Sequence, residues 1–427
     1  MIILLIIIFI VGYILIAFEH GIKINKSSIA LITGVLCWSV YSLFSPDKSL
    51  VNQQLSERLG SLSGILFFLL GAMTIVELID SHDGFEIITS RITQTDKRKL
   101  LWIVAFITFF LSAVLDNLTT TIVVISLLRK LINNREDRLL FAGMVVVAAN
   151  AGGAWTPIGD VTTTMLWLGG QITTGHIMVM LFLPAFVSLI VPLLVISVYL
   201  KGTVESPNLL KSKDNHHLPV KQQFVVFISG ILILMLVPVF KTVTHLPPYM
   251  GILAGLGILW IVTEVMHGKK DESAKNSFSV VQALRKIDLP SILFFFGILM
   301  SIAALQSSEI LTELAGWLSK SIGNVNVVVL LMGVLSSVVD NVPLVAAVQG
   351  MYSLSQFPQD SYFWEFLAYC VGTGGSILII GSAAGVAAMG MEEINFFWYL
   401  KKISLLAFLG YLAGALAYIL QQFFLGL

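Results

Sequence analysis

Three aspartates lie deep inside apolar stretches of this chain, each in a polar cluster. Asp116 opens the run Asp116-Asn117-Leu118-Thr119-Thr120-Thr121, and Asp340 opens Asp340-Asn341-Val342-Pro343. Asp160 closes Asn150-Ala151-Gly152-Gly153-Ala154-Trp155-Thr156-Pro157-Ile158-Gly159-Asp160 and is followed by Val161-Thr162-Thr163-Thr164. A fourth cluster, Thr373-Gly374-Gly375-Ser376, repeats the glycine pair but leads to Ser382 where the third has Asp160. Carboxylates, amide oxygens and hydroxyls are hard oxygen donors, which suit a hard monovalent cation or protons. No Lys or Arg falls at the centre of an apolar stretch, so an anion finds little here to hold it. The candidate cation and proton ligands are Asp116, Asn117, Thr119, Thr120, Asn150, Asp160, Thr162, Thr163, Asp340, Asn341, Thr373 and Ser376. Glu77 stands near one end of its apolar stretch, where membership of the site and an interfacial, snorkelling carboxylate both remain open. A second reading of the aspartates also stays open: Asp is a good helix N-cap, and each could serve the helix that follows it.

The elements that must carry these clusters are read from composition first. Of 427 residues, 57% are apolar and only 12% are charged, about half the ~25% of soluble domains. That leaves too little polar surface for a soluble fold and predicts an all-α polytopic membrane protein. Lys plus Arg equals Asp plus Glu at 25 each, so no charge excess points to nucleic acid. Two cysteines, Cys37 and Cys370, both in apolar runs, exclude a disulfide framework or a thiolate metal site. Apolar stretches near the 18–25 residues of a membrane span occur at 1–18, 28–45, 60–80, 139–168 and 176–200. A second set occupies 222–241, 249–266, 290–308, 363–391 and 398–424. Two further runs, 100–130 and 326–357, are too long for one crossing and carry Asp116-Asn117 and Asp340-Asn341 at their centres. They read as re-entrant hairpins with tips at membrane depth, against the plainer reading of fully crossing helical pairs. The glycine pairs and Thr156-Pro157 predict that spans 139–168 and 363–391 are broken, freeing backbone groups at half-helix ends.

Orientation follows from the basic residues. With ten crossings, and both hairpins returning to their own side, all of the 25 Lys and Arg except Lys48, Arg58, Lys241 and Lys320 fall on one face. That is a strong positive-inside bias, and it places both termini outside the cytoplasm. The stretch 1–18 lacks the basic n-region and cleavage site of a signal peptide and is kept as the first span.

The two halves resemble each other. Leu111-Ser112-Ala113-Val114-Leu115-Asp116-Asn117 aligns with Leu335-Ser336-Ser337-Val338-Val339-Asp340-Asn341, and the glycine pair 152–153 aligns with 374–375. Trp38 aligns with Trp260, and Glu86-Ile87-Ile88-Thr89 with Glu309-Ile310-Leu311-Thr312. Residues 1–200 form a first unit with its hairpin at 100–130, residues 222–427 a second with its hairpin at 326–357, and 201–221 a cytoplasmic linker. Five crossings per unit is an odd number, so the second unit enters from the opposite face: ten transmembrane helices in two inverted five-helix repeats, each with a re-entrant hairpin and a broken helix. Such repeats suit alternating access to a site at their interface. His216-His217 in the linker reads as solvated loop rather than metal tract. Stretches 84–95 and 307–323 are amphipathic and read as in-plane helices leading into the hairpins.

The run Val114-Leu115-Asp116-Asn117-Leu118-Thr119-Thr120, with Asn150-Ala151-Gly152-Gly153 and the stretch from Thr156-Pro157-Ile158-Gly159-Asp160 to Trp167, resembles the NhaD-type sodium/proton antiporters of the ion transporter superfamily. The resemblance covers nearly the whole chain. It implies exchange of Na⁺ or Li⁺ for protons, with no cofactor and no enzymatic activity, in a bacterial-type inner membrane. It also implies a homodimer among membrane lipid and an elevator-like transport domain. Family roles carry onto Asp116, Asn117, Thr119, Thr120, Asn150, Asp160, Thr162, Asp340 and Asn341, and onto Glu77 as the weakest member. Pro343 stands where the first hairpin has Thr119, and Ser382 where the first unit has Asp160, so the two half-sites are not equivalent. Two rivals are weighed. A carrier of arsenite or small carboxylates shares the architecture but sits poorly with three aspartates. An intramembrane aspartyl protease is associated with Gly-x-Gly-Asp, whereas this chain has Pro157 at the first glycine's place.

Overall fold

The structure, a computed structural model, describes residues 1–17, 22–85, 87, 94–204, 219–267, 278–338 and 340–425. Among these residues there is no strand, only an isolated bridge between Asp96 and Thr203. The first helices are α1 (Ile2–Ala17), α2 (Lys26–Phe44) and α3 (Lys48–Ser81). Then come α4 (Lys97–Leu115), α5 (Asn117–Leu131), α6 (Arg135–Gly153), α7 (Val161–Leu168) and α8 (Thr174–Tyr199). The second half supplies α9 (Val220–Thr244), α10 (Pro248–His267), α11 (Val280–Lys286), α12 (Leu289–Ser307) and α13 (Ile310–Ile322). It ends with α14 (Val325–Leu335), α15 (Asn341–Met351), α16 (Tyr362–Gly374), α17 (Ala383–Glu392) and α18 (Phe396–Leu425), the last holding a π turn at Leu400–Ser404.

Eight of these, α2, α3, α4, α8, α9, α10, α12 and α18, are long and apolar enough to cross a membrane, so the chain is a multi-pass membrane protein. The spans expected at 139–168 and 363–391 are each divided, into α6 and α7 and into α16 and α17. The expected third span is longer than its apolar part. Asp47 accepts hydrogen bonds from Ser49 N and Leu50 N and starts α3 at Lys48, and no Gly or Pro interrupts the polar turns before Gly60. Its 34 residues extend about 51 Å at 1.5 Å each, well beyond a ~30 Å hydrocarbon layer. A helix is present where one was expected at 307–323: it is α13, closed by Gly323 at φ 69°. The amphipathic stretch at 84–95 and the linker with His216-His217 lie largely outside the described residues.

Close backbone approaches fix how the hairpin arms meet the broken helices. A Cβ on Gly152 would stand 2.2 Å from the Phe109 carbonyl oxygen, so α6 touches α4 backbone to backbone. The corresponding contact in the second half is Gly374 of α16 on the Gly333 carbonyl of α14, at 2.0 Å. Ser112 donates to Ala149 O at 2.6 Å, and Ser336 to Val371 O at 2.9 Å. The same pair of pins thus occurs twice.

Ion pairs show where the first hairpin begins and ends. Lys97, at the start of α4, bonds Asp137 of α6 at 2.8 Å. Arg129, near the end of α5, bonds Glu392 at 2.7 Å, and Arg138 of α6 bonds the other Glu392 oxygen at 2.6 Å. The α4–α5 pair therefore leaves one end of the molecule and returns to it. The end of α15 lies elsewhere: Gln349 donates to Met165 O near the end of α7, at 3.1 Å.

Candidate functional site

Each aspartate is placed by the turn it makes. Asp116 adopts φ 108°, which ends α4, and its carboxylate then caps α5 by accepting from Thr119 N and Thr119 Oγ1, both at 2.8 Å. Asp160 closes the irregular 154–160 segment and caps α7 through Thr162 N at 3.0 Å. Asp340 caps α15 through Val342 N at 3.4 Å, and Ser382 caps α17 through Gly385 N at 3.2 Å. The capping expected of these residues is therefore present, but it uses only part of each side chain.

The remaining oxygens and amides form one network. Asp160 is almost fully enclosed, at 1% exposure, and its Oδ2 accepts from Asn117 Nδ2 at 2.9 Å and from Asn341 Nδ2 at 3.2 Å. Both hairpin tips thus converge on one carboxylate. Asn117 Nδ2 also donates to Asn150 Oδ1 at 3.0 Å, and Asn150 Nδ2 donates to Ser382 Oγ at 2.9 Å. Four broken elements are joined through Asp160, Asn117, Asn150, Asn341 and Ser382. The hydroxyls of Thr120 and Thr162 are enclosed and make no hydrogen bond, leaving lone pairs unused. Burying a carboxylate away from water is costly unless it is hydrogen-bonded or paired. Among the described residues no Lys, Arg or His makes an ion pair with Asp116, Asp160 or Asp340. The charge is held by amide and hydroxyl donors, an arrangement that a bound cation or proton would complete.

Other expected ligands turn to the backbone. Thr163 Oγ1 donates to Asp160 O at 2.9 Å, Thr373 Oγ1 to Tyr369 O at 2.6 Å and Ser376 Oγ to Thr373 O at 2.7 Å. Thr119 is engaged with Asp116, as above. Glu77 stands apart from the network: its carboxylate takes the Ser81 hydroxyl at 2.9 Å and Lys286 at 3.4 Å. Two features escaped the sequence. The repeat marked Ser382 as the counterpart of Asp160, but not its bond to the Asn150 amide 232 residues away. Lys26, at the start of α2, lies within electrostatic reach of Asp340 and rests 4.7 Å over the Phe294 ring. Lys26 stands at a helix start, so the reading that no Lys or Arg falls at the centre of an apolar stretch is unaffected by it.

Two cavities approach the network. One, about 770 Å³, is lined by Lys23, Lys26, Asp288, Leu118 and Ala383; the last two are chain neighbours of Asn117 and Ser382. The other, about 430 Å³, is lined by Arg58, Met165, Gln171, Gln306 and Gln349, at the end of α7.

The arrangement is that of a membrane carrier with a buried polar site. Residues 13–372 match the family described as citrate transporter, CitMHS. The chain is 51% identical to sodium/proton antiporter 1 of Arabidopsis thaliana, over 96% of its own length and 70% of that protein's. It is 48% identical to sodium/proton antiporter 2 of the same plant, over 96% and 97%. With the Na⁺/H⁺ antiporter NhaD of Vibrio cholerae it shares 30% identity over 97% and 90%. The chain belongs to the citrate-transporter family and, within it, to the NhaD-type antiporters. It is a transporter and not an enzyme, which removes the protease reading.

Proposed function

We propose that the chain is a secondary active antiporter exchanging Na⁺ or Li⁺ for protons. The observation that carries this is the enclosed Asp160 carboxylate, held by amides from both hairpin tips and, among the described residues, by no basic side chain. The carboxylate, amide and hydroxyl oxygens gathered there are hard donors that favour a hard monovalent cation. Burial favours the protonated carboxyl and a bound cation favours the carboxylate, so each displaces the other. Asp160, Asn117 and Asn341 form the centre, with Asp116, Thr119, Thr120, Asn150, Thr162 and Asp340 around it. Thr163, Thr373 and Ser376 supply the frame. Glu77, paired with Lys286, is left outside it.

The motion we infer is elevator-like. Helices α4–α8 and α14–α18 form the moving domain around the network, and α1–α3 with α9–α12 form the scaffold. The cavities support this division, since each lies between a scaffold wall and a transport wall: α2 and α12 face α17 in one, α3 and α12 face α7 and α15 in the other. The duplicated Gly152–Phe109 and Gly374–Gly333 contacts support an inverted repeat. The ends anchored at Glu392 and at Gln349 support hairpins entering from opposite faces. The ten-crossing count then comprises α1–α3, α6 with α7, α8, α9, α10, α12, α16 with α17, and α18. The basic end is taken as cytoplasmic in a bacterial-type inner membrane, with both termini on the other side and a homodimer formed through the scaffold.

The rival is a carrier of citrate-like or arsenite-like substrates, favoured by the family's description and by Lys26 near Asp340. Three aspartates at the site weigh against it. Everted vesicles holding the protein separate the two readings. Na⁺ or Li⁺ added to an acid-inside gradient is expected to collapse it, whereas collapse by citrate, succinate or arsenite but not by the cations would overturn the proposal.

A further inference from the structure

A second polar cluster lies at the connections after α7 and before α16. His176 in the first turn of α8, Asp360 in the preceding connection and Glu365 of α16 bring one ligand atom each within 4.8 Å of one another. Glu365 has no exposed side-chain surface, whereas the His176 side chain is 41% exposed. His176 Nδ1 is bonded to Glu365 Oε1. The other Glu365 oxygen accepts from the Tyr418 hydroxyl at 2.9 Å, which itself accepts from Gln422 Nε2 at 3.0 Å. Asp360 accepts from Thr173 N at 2.6 Å and from Thr173 Oγ1 at 2.7 Å.

The charges do not balance. Two carboxylates face one imidazole, and among the described residues no Lys or Arg pairs with either. Even with His176 protonated against the enclosed Glu365, the half-buried Asp360 keeps a negative charge beside them that a cation would compensate. We propose that His176, Asp360 and Glu365 bind one divalent transition-metal cation of the zinc class, with water as the fourth ligand.

One imidazole nitrogen and two carboxylate oxygens form a three-ligand set of the kind zinc takes with an open fourth position. Calcium, which needs six to eight oxygens, is poorly served. The Thr173 and Tyr418 hydroxyls and the Thr173 amide hold the carboxylates from behind, as outer partners of metal ligands do. Zinc holds N and O ligands at about 2.0–2.2 Å, so tetrahedral edges are roughly 3.4 Å. The widest separation must therefore close by up to about 1.4 Å, while the direct His176–Glu365 bond opens and Nδ1 gives up its proton to solvent. The exposed edge of His176 is the entry. A metal here would tie the start of α8, the connection before α16 and α16 together, adding stability to the domain that holds Asp160 without taking part in exchange.

The test uses the full-length protein, purified in detergent and stripped with chelator. Zn²⁺ titrated by calorimetry is expected to bind with one equivalent per chain and to raise the melting temperature. Co²⁺ in its place should give a visible absorption band of a tetrahedral N/O site. His176→Gln and Asp360→Asn should lose the band and the thermal shift, and His82→Ala, in a separate histidine pair with His267, should keep both. If a site variant folds poorly, wild-type protein alkylated at His176 serves instead. No bound Zn²⁺ in the wild type, as expected if Glu365 is simply protonated, would overturn the site. Equal binding in His176→Gln would do the same. The readout is metal binding, so its result is separate from that of the Na⁺/H⁺ assay.

Discussion

Asp160→Asn separates a capping aspartate from an ion-binding one, and the network sets the size of the effect. Asn caps about as well as Asp, so the bond from Thr162 N survives through Oδ1. The new Nδ2 would face Asn117 Nδ2 and Asn341 Nδ2, the present donors to Oδ2 at 2.9 and 3.2 Å. Both neighbours can answer by turning their amides. Asn341 has no other side-chain bond to lose. Asn117 can turn if Asn150 turns with it, because the Ser382 hydroxyl that now accepts from Asn150 can donate instead. The relay is re-satisfied end to end, and removing a buried charge offsets the loss of charge-assisted bonds, so the stability change should stay within about 1 kcal/mol. Asp160→Ala has no such escape. It strands two buried amide donors at about 1–3 kcal/mol each, or roughly 2–6 kcal/mol together. Melting curves of purified protein, with and without Na⁺, should therefore show Asp160→Asn near wild type and Asp160→Ala well below it. In everted vesicles neither variant should exchange Na⁺ for protons, and Na⁺ should no longer raise the melting temperature of Asp160→Asn. Wild-type exchange in Asp160→Asn, with its pH profile unchanged, would refute the assignment of Asp160 as the shared cation and proton site.

Three further outcomes follow from the packing. Gly152→Ala drives a Cβ to 2.2 Å from the Phe109 carbonyl and should cost at least about 3 kcal/mol; Gly257→Ala, with nothing within 4 Å, should match or slightly exceed wild type in thermal unfolding. Glu392→Gln removes the charge shared by Arg129 and Arg138. Both arginines are partly exposed, so the loss should fall near the low end of the roughly 3–5 kcal/mol for breaking a buried pair, read as a lowered melting temperature with exchange retained below it. Single cysteines at Lys97 and Arg129 should react with an impermeant maleimide from one face only and a cysteine at Gln359 from the other; opposite labelling of Lys97 and Arg129 would contradict a returning hairpin.

What could be read in advance was local and periodic. Apolar length found the long helices, and the Gly152-Gly153 and Thr156-Pro157 breakers found the division between α6 and α7, because glycine and proline weaken a helix there. Asp-Asn at the centre of an overlong apolar run found both hairpin tips. The start of α3 was missed because an apolar window cannot see Asp47 capping a polar turn. The Ser382–Asn150 bond, Lys26 and the His176–Glu365 pair were missed for another reason. Their partners lie more than 180 residues away or in another helix, and side-chain type alone does not say which polar residue a fold will bring to which. Thr163, Thr373 and Ser376 show the converse, since a hydroxyl in a membrane helix can always bond a carbonyl of its own chain.

The inexact repeat bears on mechanism. If both halves were equal, Ser382 would be an aspartate facing Asn150 and Asn341 would serve it as Asn117 serves Asp160. Instead both tip asparagines donate to Asp160, and the serine closes the relay from the far side through Asn150. A second buried carboxylate at 382 would have to share one set of amides with Asp160 through Asn150, and two like charges so placed disfavour joint ionisation. Serine keeps the N-cap of α17 through Gly385 N and the hydrogen bond to Asn150 without that charge. The second half therefore contributes the ligand of Asn341 and the cap of Ser382 to a site centred on the first. This is how a duplicated backbone can bring both tip asparagines to one aspartate instead of giving each half its own.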